Sequence, residues 1–363
     1  MLSLLILRSM ARHLLSSVVT IASIALATGL LMTVVALNAQ AYAAFTTGPP
    51  GFDAVLGARG SPLQLVLNAV FFLEASPGNL PWDAYQRIRD NPAVKRAVPY
   101  ALGDSYQGFP VVGTLELTGH DATVGSTVKL KVGDHFQATH GVGGHTHEDE
   151  FTVTKVLPPT GGPQDRVVWI PLESMWTMEG HSHEKEVSAV LLELTSPQAG
   201  MQLSQQINRE GHDATLAWPI GAQMAILFER LGWMHKLLEL VSGMVVLLAC
   251  AGILASLTSA LAARRQEFAI LRALGAHRST LFGLVTGESA VLAALGSLAG
   301  GLLYLVFMAV AAQLVWERTG MLLHPLAWHP VVVAAPLGIT LLGALSGVPA
   351  AAAAYSTEVA ANL

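Results

Sequence analysis

Seven of the thirteen histidines in this chain fall between residues 120 and 183. Four of them form two His-x-His pairs followed by acids: His145-Thr-His147-Glu-Asp-Glu150 and His181-Ser-His183-Glu184. In an extended segment, residues i and i+2 project on one face, so each pair can offer two imidazoles to one ion. The single cysteine, Cys250, lies in an apolar run, which excludes both a thiolate cluster and an internal disulfide. Without thiolates, a set of imidazoles and carboxylates fits zinc best, with copper(II) and nickel(II) as further options. His140, His145, His147, His181, His183 and Glu184 are the candidate metal ligands. Two pairs brought together would complete a tetrahedral site. The plain alternative is a solvated loop, flanked by Gly141, Gly143 and Gly144, that captures metal adventitiously. His135 and His140 could join either pair or be strand residues with no ligand role. His120 and His212 read as ordinary surface or packed residues.

The elements that must hold these residues lie between membrane spans. The 363 residues are 52% hydrophobic and 12% charged, against about 25% charged in an ordinary soluble domain. A net charge of −5 leaves no basic surface for nucleic acid. Leu14 to Leu37 is uncharged and longer than the apolar core of a signal peptide, so it reads as a retained span. Three more spans follow at 236–263, 279–316 and 331–354. Arg8 and Arg12 precede the first span, and Arg264, Arg265, Arg272 and Arg278 crowd the loop between the second and third. The positive-inside rule places both regions in the cytoplasm. Both termini (1–43 with the first span, and the tail 355–363) then start and end inside. The loop 317–330, with Arg318 alone, and the long segment 44–235 lie outside.

Segment 44–235 is long enough for a domain of its own. Pro81 to Asp90 reads as a helix with proline in its first turn, and Val94 to Pro99 as the start of a strand. From Gly113 the pattern alternates branched and polar residues between Gly and Pro, the mark of strands. Pro197 to Gly211 reads as an amphipathic helix. The expected fold is a membrane α-helical protein of four transmembrane helices, with a large α+β extracytoplasmic domain, containing a small sheet, between helices one and two.

The loop 264–278 and its flank read Ala263-Arg-Arg-Gln-Glu-Phe-Ala-Ile-Leu-Arg-Ala-Leu-Gly-Ala-His-Arg278. This resembles the signature loop of the FtsX/MacB/LolC-LolE superfamily of ABC permeases, roughly R-R-x-E-[IF]-x-x-L-R-x-x-G-A. The N-terminal LRSMARHLLSSVVTIASIALA is similar to that family's first helix, and GVPAAAAYSTEVAANL to its closing segment without the usual basic residues. The stretch from Lys131 to Ser174 is similar to the family's extracytoplasmic domain. Residues 50–110 and the His-rich insertion lie outside the resemblance.

The resemblance implies a permease dimer, homo- or heteromeric, seated on two ATP-binding subunits and working by mechanotransmission from the bacterial inner membrane. Residues Arg264, Arg265, Glu267, Phe268, Leu271, Arg272, Leu274 and Gly275 would couple it to the ATPase. On a helix Glu267, Leu271 and Leu274 share one face, the arginines can meet acids on a cytoplasmic partner, and Gly275 suits a C-cap. No Walker A string occurs, so nucleotide binding and hydrolysis are expected in the partner, and no catalytic residue is expected here. A periplasmic metal-binding or adaptor protein and membrane lipid are further expected partners. Zinc-linked transport is the leading function. The alternatives are a MacB/LolCE-like permease with no metal role, an FtsX-like regulator of a periplasmic hydrolase, and a membrane-anchored metalloenzyme. Glu288, inside the third span, reads as structural. His324 and His329 read as interfacial, with help in binding metal below the domain as the alternative.

Overall fold

Long uncharged runs become helices because lipid leaves every backbone group to be satisfied within its own segment. The computed structural model describes residues 6, 8, 10–12, 14–47, 51–141, 144–178, 184–210, 213–263, 275 and 277–355. Among these the chain begins with α1 (Leu14–Thr46), β1 (Ala54–Ala58), α2 (Pro62–Ala69), β2 (Leu80–Pro81) and α3 (Trp82–Arg89). It continues through β3 (Val94–Tyr106), β4 (Phe109–Thr114), β5 (Asp121–Val124), β6 (His135–His140), β7 (Thr146–Val156) and β8 (Val168–Pro171). Then come α4 (Leu172–Thr177), β9 (Glu186–Val187), β10 (Ala189–Leu194), α5 (Pro197–Gln205), β11 (Ala214–Ala217) and α6 (Ile220–Arg230). The last elements are α7 (Gly232–Ala263), α8 (Arg278–Thr319), α9 (Val331–Ser346) and α10 (Val348–Tyr355).

Four helical stretches are long and apolar enough to cross a membrane: Leu14–Thr46, Gly232–Ala255, Ser279–Thr319 and Val331–Ala352. The α+β domain is inserted between the first and second. The chain divides into two units. One is Met1–Gln40, Gly232–Ala312 and His324–Leu363; the other is Ala41–Leu231 with Gln313–Leu323.

In the helical unit, glycines set how closely helices pack. A Cβ on Gly300 of α8 would lie 2.5 Å from Thr28 Cβ of α1, and one on Gly296 would lie 2.6 Å from Ile24 Cβ. Small residues of this kind let backbones approach where lipid offers no hydrophobic drive. Glu288 is buried in this unit. His329 Nδ1 accepts from the Val331 backbone N–H at 3.2 Å, serving the start of α9.

The inserted domain is built on a nine-stranded sheet of order β11-β1-β10-β3-β4-β8-β5-β7-β6, much larger than the small sheet expected. β6 also pairs with β3, so β3, β4, β8, β5, β7 and β6 close into a ring. The alternating pattern fixes its interior, where Val111, Ala122, Phe136, Phe151, Val153, Val168 and Ile170 are buried. The thirteen-residue β3 serves both halves: its first part pairs with β10 and its second with β4 and β6. Its length escaped the sequence reading because Pro99 and Gly103 look like strand ends. Pro81 stands at the N-cap of α3 rather than in its first turn. Of the stretch 126–141, read as strand, residues 126–134 contain none, so β6 starts at His135. The helix expected over Pro197–Gly211 is α-helical to Gln205 and continues as a π turn to Glu210.

Candidate metal centre

The seam where β6 meets β3 brings Asp104 opposite His140. A β-bulge precedes this pair: Leu102 faces Val112 and Asp104 faces Val111, leaving Gly103 unpaired with φ of +153°. Such a bulge re-aims the next side chain. Asp104 therefore turns inward, and its side chain is fully buried.

His147 arrives by strand parity. On β7 it shares the inward face with the buried Phe151 and Val153, and its side chain is likewise fully buried. A second bulge, between Gln137 and Thr139, adjusts the β6–β7 hairpin to carry it there. The end of β6 is tied down by Gly141 N–H donating to Gly103 O at 2.9 Å and Ser105 Oγ donating to Gly141 O at 2.5 Å.

The outcome is a triad: Asp104 Oδ1 lies 3.3 Å from His140 Nδ1 and 3.5 Å from His147 Nε2. One ligand atom from each of the three residues falls within 4.8 Å of the others. Ligands bound tetrahedrally at about 2.0–2.1 Å stand about 3.3 Å from one another. Both carboxylate–imidazole spacings lie close to that figure and exceed the usual N–H···O hydrogen bond of about 2.9–3.0 Å. Two imidazoles and a carboxylate suit zinc, copper(II) or nickel(II). The residues fit a metal. His140 is half-exposed, so the site opens to solvent on that side.

His145 lies beside the triad, its ring 5.3 Å from that of His147 and 6.0 Å from that of His140. It is exposed and is not one of the three residues whose ligand atoms lie within 4.8 Å of one another. His135 is not part of the group, since its Nδ1 engages Thr152 Oγ1 at 3.1 Å. His120 packs on Phe151. His181 and His183 lie outside the described residues, and Glu184 is exposed. Asp104 escaped the sequence reading because it lies 36 residues before His140 and joins it only through the closing strand pair. Its one signal was an acid within a strand-like segment, where aspartate is depleted.

Of the coupling residues, Arg264, Arg265, Glu267, Phe268, Leu271, Arg272 and Leu274 lie outside the described residues. Gly275 has φ of +95°, the left-handed conformation for which glycine suits a helix C-cap.

Four apolar spans with an α+β domain between the first and second define a multi-pass membrane protein. Residues 239–359 match the family model FtsX-like permease C-terminal. No curated protein matches the chain. Among solved structures it is similar to the extracellular domain of the noncanonic ABC-type transporter YknZ from Gram-positive bacteria. That likeness has 12% identity and a TM-score of 0.27, covering 45% of this chain and 99% of the other.

Proposed function

We propose that this chain is the permease subunit of an ABC transporter, non-catalytic itself, that carries ATP-driven motion to a metal-binding periplasmic domain. The FtsX-like match over residues 239–359, which includes the whole loop 264–278, supports the permease reading. The chain sits in the bacterial inner membrane with both termini cytoplasmic. It forms a dimer on two ATP-binding subunits, and its loop contacts them through Arg264, Arg265, Glu267, Phe268, Leu271, Arg272 and Leu274.

The domain receives that motion through helix ends that are part of its own packing. Residues 41–46 of α1 and 313–319 of α8 belong to the domain unit. Phe45 packs 5.0 Å from Phe71. Past α8, Leu322 N–H donates to Gly161 O at 2.9 Å, and Arg166 donates to the Arg318 carbonyl. Burial, and then the charge of Arg318, hold the Arg166 guanidinium below its usual pKa.

Zinc linkage rests on the Asp104–His140–His147 spacing, with His145 beside it. The experiment is reconstitution of the full chain with its ATP-binding subunit in liposomes, following ATP turnover and movement of radioactive zinc. Glu267→Lys is expected to abolish complex formation and transport together. Asp104→Asn is expected to leave the complex intact and stop zinc movement. ATP-dependent zinc movement that survives Asp104→Asn would remove the metal role and leave a permease for another cargo.

A further inference from the structure

A second site stands apart from the metal triad, none of whose residues lines it. It is a cavity of about 420 Å³ on one face of the domain sheet, within the range of about 300–1,000 Å³ typical of small-molecule sites.

Strand register builds its floor. Trp169 of β8 stands opposite Thr123 of β5, which stands opposite Lys155 of β7. Directly opposed residues share a face, so the indole and the lysine lie on the same side. On β3, Arg96, Val98 and Tyr100 alternate onto one face, and all three line the cavity. Phe52 and Trp169 add aromatic wall, with the Tyr100 ring 5.3 Å from that of Trp169.

The polar groups are mainly donors. Trp169 Nε1–H is buried and has no acceptor among the described residues. A buried indole donor ordinarily finds one. Lys155 is exposed at the rim and forms no ion pair among the described residues. Arg96 lies over the Phe52 ring at 5.2 Å and 3.5 Å from Glu116, the one acid in the lining. Three aromatic rings, a buried indole N–H without an acceptor and an excess of cations match one ligand chemistry.

We propose that this cavity binds a small carboxylate with an apolar or aromatic body. Its carboxylate takes the Trp169 N–H and the Lys155 ammonium, and its body lies against Phe52, Val98 and Tyr100.

The test uses the full-length protein in phosphatidylcholine nanodiscs, with calorimetry against empty nanodiscs. The probes are 1-naphthoate, 1-naphthylmethylamine and 1-naphthalenemethanol. Naphthoate should bind saturably, with the amine and the alcohol at least about tenfold weaker. Trp169→Phe keeps the ring and removes the donor; Lys155→Gln removes the charge at an exposed position where folding is not at stake. Each should weaken naphthoate about tenfold, while Lys131→Gln, outside the cavity, should not. Absence of saturable binding, equal affinity for the three probes, or naphthoate binding unchanged by Lys155→Gln would overturn the assignment.

Discussion

Asp104 is the residue on which the candidate metal centre turns, because a buried carboxylate is costly unless cations or donors compensate it. His140 and His147 supply that compensation when they share a metal with it. Asp104→Asn and His147→Ala should each lower zinc affinity of the full chain by more than about 100-fold, beyond the effect of losing an outer-shell partner. His145→Ala should cost about tenfold, and His135→Ala nothing, by competition with a chromophoric chelator. Tyr100 offers a separate test at this scale. Burial first, then the charge of Glu116, push its phenol up to about 12, with Arg96 opposing. The ordinary value is about 10, so the folded state favours the neutral phenol. Its stabilisation is complete below pH 10 and is lost as pH rises from 10 through 12, about 2–3 kcal/mol in all. Tyr100→Phe should flatten that part of the alkaline unfolding profile.

Helices and strands here are placed by small residues and by bulges. The α1–α8 contact depends on Gly296 and Gly300, where a side chain would overlap Ile24 and Thr28. Gly300→Val should destabilise the detergent-solubilised protein by about 1–3 kcal/mol, read as a lowered thermal midpoint. Gly301→Val is the control, since nothing lies within 4 Å of its Cβ position. In the domain, the bulge at Gly103 turns Asp104 inward, so the same glycine sets the strand geometry and the placement of the candidate metal ligand.

For the molecule as a whole, helix length matters. α1 has 33 residues and α8 has 42, about 50 and 63 Å at 1.5 Å per residue, against a hydrocarbon core of about 30 Å. Their ends are part of the domain's packing, and Gly320 ties one of them down. Its φ is +71°, and a Cβ there would lie 3.0 Å from both Arg166 Cγ and Gly162 O. Gly320→Val should strain this attachment by about 1–3 kcal/mol. The expected outcome is ATP turnover that continues while cargo movement falls, with zinc affinity unchanged. Equal transport in the variant would show that this attachment carries no work.

The sequence by itself determined the four apolar spans and the inserted α+β domain. Hydropathy and strand alternation are local patterns, written in consecutive residues from Leu14 onward. It also singled out His140, His145 and His147, because neighbours in sequence stay neighbours in space. Asp104 needed the tertiary structure. Only the closure of β6 onto β3, with a glycine bulge to turn the carboxylate inward, brings it to the histidines. The return of Gln313–Leu323 to the domain had the same character. Leu322 finds Gly161, and Arg166 the Arg318 carbonyl, across more than 150 residues of chain. Pairings of that kind arise from complementary backbone groups meeting in the folded chain, and no local pattern encodes them.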